Sequence, residues 1–348
     1  MASKRRVNLV LTCVGSPLAW EMIQSFAGLD SPDVRIIGVD MNSAAIGRHF
    51  LQVFHEVPSG EDPEYVDILL DICRRENVHL VIPGSDEEAF TLSRSIERFR
   101  NEGIVCTVPR ADLIDPMADK FLMYETLKPL GIPVPRYYRV NCPADLEDAA
   151  AELGYPRKPF VLKISSGRGG RGIWKVTRGD SGEDYFFGRS GTFREISLEE
   201  IARILDQKEG TPPLIAMEHL EGHFYDIDVL SNEGELLYGV VRRRINPLGI
   251  PFRGNVFEKN PAILSLAEEI QRALRLTYLY DLDMAYHPGK GAVLMEVNPR
   301  PSGSIVATVK AGLNLFEFLM RMAMGWEVPR VEVPAGITIL PKISLFQA

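Results

Sequence analysis

Met295-Glu296-Val297-Asn298-Pro299-Arg300 is the stretch on which the reading of this 348-residue chain turns. On a strand it places Glu296, Asn298 and Arg300 on one face, because side chains alternate with period two. That face is hydrophilic within an apolar neighbourhood. Glu296 follows Asp283, in Asp281-Leu282-Asp283, by thirteen residues. If the two segments pair antiparallel, Asp283, Glu296 and Asn298 bring three hard oxygen donors together, as magnesium bridging nucleotide phosphates requires. Arg300 then lies beside the metal-bound phosphates. A solvated sheet face accounts for the same alternation, so the segment needs its neighbours.

Upstream, Lys163-Ile164-Ser165-Ser166-Gly167-Arg168-Gly169-Gly170-Arg171-Gly172 carries four glycines between two strand-like runs. Glycine lets backbone N–H groups turn inward around a polyphosphate, and cationic side chains at both ends supply countercharge. No GK[ST] closes the loop before a helix, so it is not a Walker A sequence; a plain glycine-rich hairpin is the other reading. Between these two segments Ile215-Ala216-Met217-Glu218-His219-Leu220-Glu221-Gly222 runs from an apolar strand into a polar turn. Such a hinge offers backbone groups to a base edge and apolar side chains to its face, although most junctions of this kind are structural.

The first third of the chain has a different rhythm. An apolar run Val7 to Cys13 ends at Gly15-Ser16-Pro17, a helical pattern covers Leu18 to Phe26, and Val34 to Asp40 is a second run. Amphipathic stretches from Glu64 to Glu76 and Glu87 to Glu102 precede His79 to Pro83 and Ile104 to Val108. Four strands alternating with helices imply a parallel, Rossmann-like sheet. A break at Asp115-Pro116, a helix carrying Lys120 and Lys128, and the segment Gly131-Ile132-Pro133-Val134-Pro135 mark a junction. Beyond it the pattern is α+β: strands at Phe160 to Ile164, Gly172 to Val176, Leu214 to Glu218, Tyr225 to Leu230 and Leu236 to Arg242, and helices at Ala262 to Leu274 and Leu315 to Met324.

Composition bounds the function. With 45% hydrophobic and 25% charged residues the chain is an ordinary globular protein, and its length predicts two or three domains. A formal net charge of -8 argues against a nucleic-acid-binding surface while permitting a local basic pocket. Cys13, Cys73, Cys106 and Cys142 are too scattered for a zinc site or a disulfide framework. The opening MASKRR lacks the pattern of a secretory signal and no apolar run approaches ~18 residues, so a cytoplasmic protein without a membrane partner is expected. The six histidines are dispersed and none is assigned a catalytic role.

Taken in order, Lys120 before the proline-spaced turn, Lys163 with its glycine-rich loop, the Glu218 to Gly222 hinge, and Asp283 followed by Glu-Asn-Pro-Arg resemble the ATP-grasp superfamily. Val-Ile-Pro-Gly-Ser-Asp-Glu-Glu at 81–88 and Glu-Val-Asn-Pro-Arg-Pro-Ser-Gly-Ser at 296–304 look like its carbamoyl-phosphate-synthase-like branch of carboxylate–amine ligases. The resemblance implies a Rossmann-like preceding domain at 1–117, a first ATP-grasp lobe with its glycine-rich lid at 118–220, and a second lobe with the metal site at 221–348. It further implies that Lys120 and Lys163 hold ATP, that Gly167, Gly169 and Gly170 close over its phosphates, and that Glu218 and Leu220 line the adenine. Asp283, Glu296 and Asn298 take Mg2+, with Mn2+ a potential substitute, and Arg300 steadies the transferring phosphoryl group.

Two positions depart from the family pattern. Phe224 falls where many members carry an acid that binds the ribose, which leaves Asp226 as a stand-in or the pocket without that contact. Asp283 stands where the carbamoyl phosphate synthases have glutamine, and is the stronger magnesium ligand by charge. The implied activity is phosphorylation of a carboxylate by ATP and displacement of the phosphate by an amine, both small molecules of unread identity. Arg242 and Arg244, which share a face, are candidates for holding the acceptor carboxylate, although a solvated basic turn explains Arg242-Arg243-Arg244 equally well. A homodimer is expected from size and family. Two other classes stay open: an ATP-binding regulatory protein without turnover, motivated by Phe224, and a Rossmann NAD-dependent oxidoreductase, suggested by Gly15 and Asp40.

Overall fold

Arg6–Thr12 forms β1, Ala19–Ala27 α1 and Asp33–Asp40 β2, the β-α-β unit expected from the opening apolar runs. The computed structural model describes residues 6–27, 29, 32–166, 172–178, 194–207, 210, 212–247, 252–342 and 345. There follow β3 (Val53–Glu56), α2 (Tyr65–Arg75), β4 (Leu80–Ile82), α3 (Asp86–Arg94), α4 (Ile96–Asn101) and β5 (Val105–Cys106). Every pairing in this sheet is parallel and the order is β3-β2-β1-β4-β5. The four expected strands are therefore five: β3, whose residues are half-exposed and do not alternate, left no apolar run to read. The expected helix from Glu87 to Glu102 is two helices that meet at Ser95. Chain order reverses direction between β1 and β4, so their C-terminal loops flank a topological switch point, where doubly wound sheets bind ligands. These loops pack closely: Gly84 N–H donates to Thr12 Oγ1 at 2.7 Å, and a Cβ on Gly84 would lie 2.6 Å from the Thr12 carbonyl oxygen.

The expected break at Asp115-Pro116 is a short helix, α5 (Ile114–Ala118), with Pro116 in its first turn, where a missing N–H costs nothing. It leads into α6 (Lys120–Leu127), capped by Asp119, whose Oδ1 accepts from the N–H of Phe121 at 2.9 Å and Leu122 at 3.1 Å.

A second sheet follows, built from β6 (Tyr137–Val140), β7 (Phe160–Ile164), β8 (Ile173–Thr177), β9 (Arg194–Ser197) and β10 (Leu214–Glu218), with helices α7 (Pro143–Leu153) and α8 (Leu198–Gln207). Its order is β6-β10-β7-β8-β9, antiparallel except for β8 with β9.

The third sheet is wholly antiparallel, β15-β14-β11-β12-β13-β16, from β11 (His223–Asn232), β12 (Glu235–Arg244), β13 (Asn255–Phe257), β14 (Tyr278–His287), β15 (Gly291–Asn298) and β16 (Thr338–Ile339). One face is apolar and packs on α9 (Pro261–Leu274), where Ile263, Leu266, Ala267 and Ile270 join Ile227, Leu282 and Val297 in a core that also takes in Leu113, Met117 and Tyr124. A second core joins β1 and α1 to this sheet through α10 (Val306–Lys310) and α11 (Leu315–Ala323): Leu9, Phe26, Phe316, Leu319 and Val240 share it. Apolar burial of this kind, at about 25 cal/mol per Å², fixes the first sheet against the third rather than leaving it on a tether. Among the described residues no helix is long and apolar enough to cross a membrane.

Candidate active site

The other face of the third sheet is apolar where Val240 joins the second core and polar next to it, where its register brings the acidic segments together. Asp283 lies opposite Glu296 and Asp281 opposite Asn298 in the antiparallel pair β14·β15. On the other side of β14, Asp283 faces Asp226 and Asp281 faces Asp228 of β11, while Asp226 faces Arg242 of β12. A bulge between Asp283 and Met284 sets Met295 out of the ladder, and Tyr124 of α6 donates its hydroxyl to the freed Met295 carbonyl at 2.8 Å. The antiparallel pairing expected for the Asp283 and Glu296 segments is thus present.

Two layers of ionised groups result. In the deeper layer Arg242 has no exposed surface. Its Nε donates to Asp228 Oδ2 at 2.6 Å, one guanidinium NH2 group to Asn255 Oδ1 at 2.6 Å and Ser304 Oγ at 2.9 Å, and the other to Ser302 Oγ at 2.8 Å. Arg242 does share a face with Arg244, but these bonds take up four of its five N–H donors, which places it beneath the site as a buried counter-ion. Arg244 sits higher: Nε donates to Asp226 Oδ1 at 2.7 Å and a terminal nitrogen reaches Asp283 Oδ1 at 2.5 Å. Asp226, proposed from the sequence as a stand-in for the ribose acid, is 6% exposed and also accepts from Asn255 Nδ2 at 3.0 Å, so it belongs to this ionic layer.

One oxygen from each of Asp226, Asp281 and Asp283 falls within 4.8 Å of the others, a cluster of hard donors suited to a divalent cation. Asp281 Oδ1 is buried with no hydrogen-bond donor, and burial, then the charges of Asp283, Asp226 and Asp228, push its carboxyl well up. Asp283 is raised by burial, against the pull of Arg244. Burial also acts to raise Glu296, but Lys120, at 2.9 Å from its Oε1, and Lys163 outweigh it and hold the carboxyl down. Asn298 donates its amide Nδ2 to Asp281 Oδ2 at 3.2 Å, which leaves its carbonyl oxygen as the atom free to ligate. Asp281 as a site residue, and Asp226 as a member of the acidic cluster rather than a ribose ligand, were not read from the sequence; extending the period-two face back from Asp283, and along Asp226-Ile227-Asp228, was the signal that could have found them.

Lys120 and Lys163 meet above Glu296. Lys120 N–H donates to the Ser165 carbonyl at 3.0 Å, and Ser165 Oγ donates to the cap residue Asp119 at 2.6 Å, so the start of α6 is pinned to the end of β7. Burial and then the Lys120 ammonium push the Lys163 amine down to about 8. Arg300 brings its Nε to 3.1 Å from Asp86 Oδ1 of α3 and a terminal nitrogen to 3.9 Å from Asp281 Oδ2. Gly167, Gly169 and Gly170, with Arg168 and Arg171, lie outside the described residues, as do 248–251 of the segment after Arg244.

Further along the same face the character changes. Leu220, Ala285 and Val293 are buried together, with Phe224 and Met295 packed against them. Phe224 thereby contributes apolar surface where the family pattern carries an acid. The Glu218 carboxylate points away: it accepts from Arg136 N–H at 2.8 Å and pairs with Lys290, contacts that overcome burial and hold it below the usual range. Gly222 ends the hinge at φ +129°, where a Cβ would lie 2.2 Å from the Tyr286 carbonyl oxygen, so no other residue fits. At the oxidoreductase candidate, Asp40 Oδ2 accepts from Gly15 N–H at 2.7 Å and Oδ1 from Asn42 N–H at 2.9 Å, which ties the carboxylate to the backbone of the loops after β1 and β2 rather than offering it to a ribose.

Two family models match the chain: "ATP-grasp in the biosynthetic pathway with Ter operon" over residues 210–341 and "PylC-like, N-terminal domain" over residues 9–107. Residues 210–341 thus match an ATP-grasp family model. It is 22% identical over 293 residues to the carbamoyl phosphate synthase arginine-specific large chain of Geobacillus stearothermophilus, covering 80% of this chain and 26% of that one. The chain therefore spans about a quarter of that relative's length. Among solved structures, the N5-carboxyaminoimidazole synthetase of Staphylococcus aureus complexed with ADP superposes with a TM-score of 0.68 at 14% identity, covering 94% of this chain and 80% of that one. The L-amino acid ligase of Bacillus licheniformis gives 0.65 at 15% identity, with 92% and 75% covered. Likeness at such identity establishes the shared fold.

Proposed function

We propose that the chain is an ATP- and magnesium-dependent carboxylate–amine ligase that forms an amide through an acylphosphate. The observation that carries this is the continuous face of the third sheet, which passes from the apolar cluster at Leu220, Phe224 and Val293 to the acids at Asp283, Glu296 and Asn298. A nucleotide has the same polarity, an aromatic base at one end and a polyanion at the other. The relatives whose names record such chemistry support the reading.

In this proposal the hinge from Glu218 to Leu220 offers backbone groups to the base, Lys120 and Lys163 hold phosphate oxygens, and the glycine-rich loop with Gly167, Gly169 and Gly170 covers them. Asp283, Glu296 and Asn298 would hold magnesium, joined by Asp281 or Asp226, and the ion would supply charge neutralisation at the γ-phosphate. A carboxylate oxygen of the acid attacks the γ-phosphorus and ADP leaves. The amine nitrogen then attacks the acyl carbon, phosphate leaves, and the nitrogen gives up its proton. No side-chain nucleophile is needed. Arg300 and Arg244 neutralise the transferring group, and exclusion of water protects the acylphosphate. Residues 1–117 present the acid, while 118–220 and 221–348 hold the nucleotide between them.

The test is ADP and phosphate release from Mg·ATP across a panel of amino acids, peptides and sugar acids, with and without amines. Acid-dependent release supports the ligase and names the acid. ATP turnover independent of every acid, or nucleotide binding with no turnover, favours the regulatory reading instead.

A further inference from the structure

Asp86 belongs to the first sheet's layer, yet its carboxylate forms an ion pair with an arginine that follows the last residue of β15. It is 7% exposed, in the first turn of α3, with Oδ1 3.1 Å from Arg300 Nε. A carboxylate at that position ordinarily faces solvent, where the helix dipole favours it at no desolvation cost. Burying it is unfavourable unless a charge partner answers it, and the partner here lies 214 residues further along the chain.

The local structure holds Asp86 in place. Ser85 is the N-cap of α3 and its Oγ accepts from Glu88 N–H at 3.2 Å, the S-x-x-E capping pattern. Glu88 turns its side chain inward to accept from Ser85 Oγ at 3.2 Å, Cys13 Sγ at 3.1 Å, Tyr65 Oη at 3.2 Å and Thr12 Oγ1. Thr12 in turn accepts from Gly84 N–H. The first turn of α3 is thus locked to the switch-point loops of β1 and β4, and Asp86 projects from that rigid base onto Arg300. On its other side Arg300 approaches Asp281, the residue that orients the Asn298 amide.

We infer that Asp86 is a positioning residue for phosphoryl transfer: held by the Rossmann-like layer, it aims the Arg300 guanidinium at the transferring group. This rests on the ligase reading above. It makes the switch-point loops, where an acid substrate would sit, mechanically continuous with the arginine that answers the charge of its phosphorylation. Outer partners of this kind are worth about 10- to 100-fold in affinity or activity.

The experiment measures two affinities for each protein by calorimetry: Mg·ADP alone, and Mg·ADP with aluminium fluoride, a mimic of the group in flight. Wild type is expected to bind the second more tightly. In Asp86→Asn the Mg·ADP Kd should stay within about twofold while the tightening by aluminium fluoride falls about 10- to 100-fold. Added to Arg300→Gln, the same substitution should have no further effect, since a residue acting through Arg300 loses its lever there. If Asp86→Asn fails to fold, Asp86→Glu, which keeps the charge but displaces it, is read the same way. Equal tightening in wild type and variant, or an undiminished effect in the Arg300→Gln background, overturns the inference. Absence of Mg·ADP binding by wild type would instead overturn the ligase reading itself.

Discussion

The polar face of the third sheet has two ends that differ within two or three residues along each strand. β11 passes from Phe224 to Asp226, β14 from Ala285 to Asp283 and β15 from Val293 to Glu296. At the first end Leu220, Ala285 and Val293 contribute undirected apolar area. At the second, Asp226, Asp228, Asp281, Asp283 and Glu296 meet Arg242, Arg244, Arg300, Lys120 and Lys163, and every charge depends on the placement of another. Apolar contact scales with area and forgives shape, whereas a buried ion network fails when one member goes. The two ends should therefore answer substitution on different scales.

The largest effect is expected at the bottom of the ionic end. Arg242→Met leaves Asp228 buried without its cation and should cost about 3–5 kcal/mol of stability in denaturant titration. Arg244→Met, nearer the surface, should fold and instead lose turnover, which separates the two arginines that sequence spacing had paired. Next, Asp281→Ala frees the Asn298 amide to turn, and magnesium affinity, followed through Mg·ADP binding, should drop about 10- to 100-fold.

A smaller effect follows from Lys163. Its amine, pushed down to about 8 by burial and Lys120, is charged below that pH and neutral above it. Nucleotide binding draws on the charged form, so affinity should fall about fivefold between pH 8 and pH 9, with proton uptake on binding. Lys163→Met should flatten that limb. At the apolar end, Phe224→Leu should change the ADP Kd by less than about threefold, because an apolar swap of similar reach costs little. A large loss at Phe224, or none at Asp281, would erase the contrast between the ends.

Much of this was legible in the sequence because it is local. Period two put Glu296 and Asn298 on one face, and the β-α-β alternation of the first hundred residues gave the parallel sheet. β3 escaped because Val53–Glu56 is short and half-exposed, so no burial pattern marked it. The burial of Arg242 could not be read from its spacing, since it depends on Asp228, Asn255, Ser302 and Ser304 arriving from three other segments. The Asp86–Arg300 pair is of the same kind: both residues lie in recognisable motifs, but contact between them is a property of how two sheets share a core.

The central claim is that the ionic end carries ATP-driven activation of an acid. The most direct measurement is acid-dependent ADP formation in wild type and Glu296→Ala, with Mg·ADP binding followed in parallel. The account predicts turnover with at least one acid and its loss, by two or more orders of magnitude, in the variant, as removal of a group stabilising the transferring charge entails. Acid-dependent turnover that survives Glu296→Ala undiminished would contradict it.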